Sequence, residues 1–103
     1  MSGLAEQLQD RILVSYDKIG FTKATVEGHP SSLAFGFLTS ARIPVVAQLG
    51  RFHAYEGHPL TDVIFPMRVF GKLGVNIAII TNAAGGLSEQ LTPGDIVVLV
   101  RLG

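Results

Sequence analysis

Two hydrophobic periods divide this chain. Leu4, Leu8 and Ile12 recur at helical spacing, which predicts a short helix over the first ten residues with Ser2 as its cap. Arg11 to Tyr16, Thr22 to Glu27, Ser32 to Leu38 and Ile43 to Leu49 read as strands, with Asp-Lys, His-Pro and Ser-Ala-Arg breaks between them. The helical period returns from Thr61 to Leu73, where Leu60, Val63, Ile64, Met67, Phe70 and Leu73 form the predicted buried stripe. Gly74 is placed to end this helix, and Pro66 removes a backbone donor and is expected to bend its first turns. Val75 to Ile80 then reads as a central strand, and Asp95 to Val100 as another after a Pro93-Gly94 turn. Strand, helix, strand in this order suggests a right-handed crossover, so the expected class is α/β.

Composition narrows the setting. Of 103 residues, 48% are hydrophobic and only 16% charged, which suggests strands covered on both faces. The charge balances to zero, so nothing favours nucleic acid or an anionic membrane surface as partner. There is no cysteine, which excludes a disulfide framework, a thiolate nucleophile and a zinc site built on sulfur. No apolar run reaches the roughly 18 residues that would span a bilayer, and Met1 to Asp10 lacks the order of a signal peptide. The expectation is a soluble cytoplasmic protein.

The chemistry concentrates in Gly50-Arg51-Phe52-His53-Ala54-Tyr55-Glu56-Gly57. In an extended backbone Arg51, His53 and Tyr55 would point to one side, at the exit of an apolar run. The planar fork of Arg suits phosphate, and His adds another donor. Taken alone, Arg51 and His53 read equally well as surface residues after a strand, and Tyr55 as a half-buried core tyrosine. Further on, Thr81-Asn82-Ala83-Ala84-Gly85-Gly86 is a loop of small residues after an apolar run, where a ligand can come close to the backbone.

Together with Phe65-Pro66-x-Arg68-Val69 and Gly94-Asp95-Ile96, these motifs closely resemble purine nucleoside phosphorylases of the trimeric, inosine/guanosine-preferring type. The match runs in order from about Thr25 to Val100. The resemblance implies part of a mixed-sheet nucleoside-phosphorylase-like fold, with residues 1–103 a partial, apparently truncated domain. Met1-Ser2-Gly3-Leu4 resembles the tail of the family's phosphate loop, and Arg101-Leu102-Gly103 departs from the run that normally follows Gly-Asp-Ile.

By the same resemblance, Arg51 is a main phosphate clamp, His53 a second donor, and Ser2, His29 and the backbone amide of Ala83 join them. Ser2 also reads as a plain helix cap, and His29 as a structural turn residue. Tyr55, Ala84 and Gly85 are implied on the ribose and base side. Glu56 is expected to orient neighbouring backbone or side chains, and Gly57 to permit a turn; His58 is assigned no role. The activity implied is phosphorolysis of a purine nucleoside to free base and ribose 1-phosphate, with inorganic phosphate as co-substrate, no cofactor and no metal. The family's purine-reading Glu and Asn are expected beyond this chain, and the full-length parent is expected to be a homotrimer. Two alternatives stand beside this: a 5′-methylthioadenosine phosphorylase, which the Tyr55-Glu56-Gly57 run argues against, and an inactive fragment that at most binds phosphate.

Overall fold

In the computed structural model, which describes residues 2–21 and 31–100, three strands form one antiparallel sheet in the order β1-β2-β3. The first helix, α1, runs Ser2–Glu6, and β1 runs Gln9–Ser15. A single turn, α2, follows at Tyr16–Ile19 and closes on Gly20, whose φ of 70° is the left-handed conformation that glycine adopts without strain. Strands β2 (Ser32–Leu38) and β3 (Ile43–Leu49) begin and end where the apolar runs do. They pair in continuous register from Ser32↔Leu49 to Leu38↔Ile43, joined by a four-residue loop in which the Arg42 N–H donates to the Thr39 carbonyl. The expected strand at Thr22 to Glu27, and His29, lie outside the described residues.

Between β1 and β2 the ladder carries a bulge. Gln9 faces Phe37 and Ile12 faces Phe35, so Asp10 and Arg11 together stand opposite Gly36. Asp10 takes a φ of 51° there, and Arg42 donates to its carboxylate at 2.6 Å while stacking on Phe37 at 4.2 Å. Gly36 is required at the crossing, because a Cβ would lie 2.8 Å from both the Gln9 carbonyl oxygen and the Leu8 Cβ.

Side-chain alternation places a core on each face of the sheet. On one face Ala34, Ala47 and Leu49 pack with Ala5 and Leu8 from α1 and its exit. On the other, Leu33 joins Tyr16, Phe21, Phe52 and Phe70, flanked by Phe35, Val46, Val63 and Val69. Strands β2 and β3 thus contribute to a core on each face, through antiparallel pairing, whereas β1 departs from the expectation of covered strands and leaves Ile12 and Leu13 exposed.

Helix α3 spans Leu60–Lys72, one residue from its expected bounds at each end. It ends as Gly74 suggests: with Gly74 at φ 84°, its N–H donates to the Gly71 carbonyl and the Val75 N–H to the Phe70 carbonyl. That pair of bonds is a Schellman motif. The buried face differs from the predicted stripe. Pro66 and Phe70 are buried with Val63 and Val69 alongside, whereas Leu60, Ile64, Met67 and Leu73 are exposed. An amphipathic period marks candidate faces, but the aromatic cluster on the sheet decides which face is covered. Pro66 sits in that face, so the missing donor and the buried ring lie on the same side.

Two predicted strands, and with them the crossover, are not formed. Residues 75–80 and 95–100 run without any ladder partner among the described residues, and Ile77, Ile79, Ile96 and Val98 are exposed. A strand is defined by lateral hydrogen bonds, which an apolar run announces but cannot supply by itself. The Pro93-Gly94 turn does form, with Gly94 at φ 102° and the Asp95 N–H donating to the Thr92 carbonyl. No helix among the described residues is long and apolar enough to cross a membrane.

Candidate functional site

The loop after β3 is anchored before it is decorated. Gly50 turns the chain off the strand at φ 91°. The Tyr16 hydroxyl, carried by α2, donates to the Gly50 carbonyl at 2.6 Å, and the Gln48 amide nitrogen lies 3.5 Å from the same oxygen. Tyr16 is fully buried, and that burial pushes its phenol up to about 12, with the hydrogen bond from Gln48 acting the other way. Phe52 is buried too. Its ring meets Tyr16 at 5.5 Å on one side and His58 at 5.5 Å on the other. Phe21 continues the aromatic chain to Phe65 of α3 at 5.3 Å. An open cleft of about 230 Å³ lies beside it, lined by Gly20, Phe52, Asp62 and Phe65.

With Phe52 pinned inward, its neighbours turn outward. Arg51 is exposed, and His53 is half-buried. The extended row expected for Arg51, His53 and Tyr55 holds only as far as His53, whose backbone is extended at φ −113°, ψ 139°. From there Ala54–Glu56 closes a 3₁₀ turn, ended by Gly57 at φ 86°. The tight turn folds Tyr55 back onto His53, so the two rings stack with centroids 4.9 Å apart and planes 12° apart. Tyr55 is 84% exposed, which rules out the reading as a half-buried core tyrosine.

Glu56 does what its position suggested. Its Oε2 accepts from the His53 backbone N–H at 3.0 Å, tying the end of the turn to its beginning. His58, to which the sequence lent no role, lies with Nε2 3.9 Å from that same oxygen, and both side chains are more than nine-tenths buried. No sequence signal singled out His58 or Tyr16. Each earns its place through contacts with residues distant in the chain or across a turn.

The remaining candidates lie elsewhere. Ser2 opens α1. Ala83, Ala84 and Gly85 are exposed in a stretch without regular structure, and a Cβ at Gly85 would meet nothing within 4 Å. The structure therefore brings together His53, Tyr55 and Glu56 in one turn, with Arg51 exposed just before it, and leaves the small-residue stretch exposed. Among the described residues no group of three or more His, Asp or Glu side chains is placed to hold a metal.

Set against known proteins, residues 1–102 match the sequence profile of the phosphorylase superfamily. Purine nucleoside phosphorylase 1 of Geobacillus stearothermophilus is 44% identical over 97 residues, covering 93% of this chain and 35% of that protein. The purine nucleoside phosphorylase of Mus musculus is 44% identical over 100 residues, covering 96% of this chain and 34% of that protein. The chain thus spans about a third of the length of the curated relatives it matches. Among solved structures, Schistosoma mansoni purine nucleoside phosphorylase in complex with inosine superposes with a TM-score of 0.80 at 43% identity, over 89% of this chain and 32% of the other. A purine nucleoside phosphorylase in complex with ribose-1-phosphate gives 0.79 at 44% identity, over 89% of this chain and 33% of the other. Residues 1–74 are under three quarters of the chain, so these superpositions extend into the unpaired arm.

Proposed function

This chain belongs to the phosphorylase superfamily, and on that premise we propose that it carries the phosphate-holding part of a purine nucleoside phosphorylase. The reaction is phosphorolysis: phosphate attacks C1′ of a purine nucleoside, the glycosidic bond breaks, and free base and ribose 1-phosphate leave. The observation that carries this reading is the loop from Gly50 to Gly57, which buries Phe52 as an anchor and turns Arg51, His53 and Tyr55 away from it.

Arg51 supplies a two-toothed donor to the phosphate oxygens, and His53 a further one. By resemblance to the family, Ser2, His29 and the Ala83 amide complete the set of phosphate donors. Holding a dianion at reaction distance converts an encounter into an intramolecular step, and fixed donors stabilise charge as the sugar turns cationic. Tyr55 offers its exposed ring to the ribose, with Ala84 and Gly85 as the small-residue wall beside sugar and base. Inorganic phosphate is the co-substrate, no other cofactor takes part, and the full-length parent works as a cytoplasmic homotrimer. The relatives crystallised with inosine and with ribose-1-phosphate support this choice of substrates.

Titration of the 103-residue chain with inorganic phosphate tests it. Arg51→Ala should weaken binding by about 1.5–3 kcal/mol, the range for hydrogen bonds to a charged group, with the fold intact by circular dichroism. Unchanged affinity removes Arg51 from the site. Phosphate binding without turnover of inosine leaves the phosphate assignment standing and makes this chain a binding fragment.

A further inference from the structure

Phe52 could be backed by any aromatic side chain, yet residue 58 is a histidine whose Nε2 is buried with no hydrogen-bond partner. A buried ring nitrogen left unpaired is costly, and native proteins seldom keep one without a reason. The nearest acid is Glu56, whose Oε2 lies 3.9 Å away and already accepts the His53 backbone N–H at 3.0 Å. The imidazole and carboxylate are 8% and 9% exposed, so water competes little for either. We propose that His58 is a positioning residue for the anion loop: its Nε2–H holds the Glu56 carboxylate against the His53 N–H. In this way it fixes the turn that carries His53 and Tyr55.

Three features converge on this role. The edge-on contact with Phe52, at 5.5 Å and 62°, ties His58 to the same ring that anchors the loop. The oxygen that faces His58 is the one that accepts the His53 N–H, so drawing it toward His58 is felt directly at His53. The gap is about one ångström longer than a hydrogen bond, a distance that a small side-chain rotation closes, and bonds that order a binding loop are often long until substrate arrives. His58 need not touch the anion; it acts through Glu56.

The phosphate readout rests on the function proposed above, so the test pairs it with one that does not. In the 103-residue chain, hydrogen exchange of the His53 amide and the Kd for inorganic phosphate are measured for wild type, His58→Phe and His58→Gln. Phe keeps the aromatic contact and removes the donor; Gln keeps a donor at similar reach. Expected are roughly tenfold faster exchange at His53 and roughly tenfold weaker phosphate binding in His58→Phe, the lower end for a hydrogen bond to a charged group, with His58→Gln close to wild type. If His58→Phe does not fold, His58→Asn, whose amide is too short to reach Glu56, takes its place. Wild-type exchange in the donor-free variant, or equal loss in His58→Gln, overturns the proposal. If no variant, nor the wild type, binds phosphate, the functional reading fails while His53 exchange still decides the role of His58.

Discussion

Removing one oxygen, by Tyr16→Phe, probes the anchor of the Gly50–Gly57 loop with little change of shape. The phenol is fully buried and its hydroxyl donates to the Gly50 carbonyl at 2.6 Å, between α2 and the corner where the chain leaves β3. Loss of such a bond costs about 1 kcal/mol, and not more, because Gln48 remains 3.5 Å from the same carbonyl and partly satisfies it. The larger signature is in alkali. Burial raises the Tyr16 phenol from 10 to about 12, so between those values the folded chain keeps a proton that the unfolded chain has lost. Stability from this group is therefore complete below about pH 10 and falls as pH rises toward 12. The total is on the order of 2–3 kcal/mol from a shift of about two pH units. Urea denaturation of wild type and Tyr16→Phe across pH 8 to 12 isolates it by difference, since other alkaline titrations are common to both. Phenolate absorbance in a Tyr55→Phe background follows Tyr16 alone, because the chain has only two tyrosines. An equal alkaline loss in both proteins, or a phenol that ionises near pH 10 while the chain stays folded, refutes the buried anchor.

Two further substitutions separate tight packing from surface decoration. Gly36→Ala should destabilise by about 1–3 kcal/mol in thermal or urea melts, because the added Cβ meets the Gln9 carbonyl oxygen and Leu8 Cβ at 2.8 Å, one of them backbone; a neutral result would mean the bulge opens freely. Arg42→Ala breaks an exposed pair with Asp10 and a stack on Phe37, and should cost no more than about 1 kcal/mol, shrinking in high salt.

Much of the fold was legible in local patterns. Strands β2 and β3 occupy the two apolar runs bounded by turn residues, and α3 ends in the motif that Gly74 announces, because capping and turn chemistry depend on residues a few positions apart. The Gly50–Gly57 loop stood out through its residue types, a guanidinium, an imidazole and a phenol in one short stretch after a strand, and the structure leaves Arg51 and Tyr55 exposed there. The orienting role expected of Glu56 and the turn expected at Gly57 are both found within the turn itself.

Other features depended on what lies across space. The sequence predicted one buried stripe on α3, and the cluster of Tyr16, Phe21, Leu33 and Phe52 instead covers the side with Pro66 and Phe70. Residues 75–80 and 95–100 carry strand-like composition but find no ladder partner among the described residues, for a ladder needs a neighbour that no single segment encodes. Tyr16 reaches Gly50 across 34 positions, and His58 meets Glu56 only once a 3₁₀ turn has folded the loop. Periodicity and turn chemistry are local and are written in the chain. Burial and hydrogen bonding between distant groups belong to the assembled fold, and it is there that buried Tyr16 and Phe52 hold the loop on which the His53 and Tyr55 rings stack.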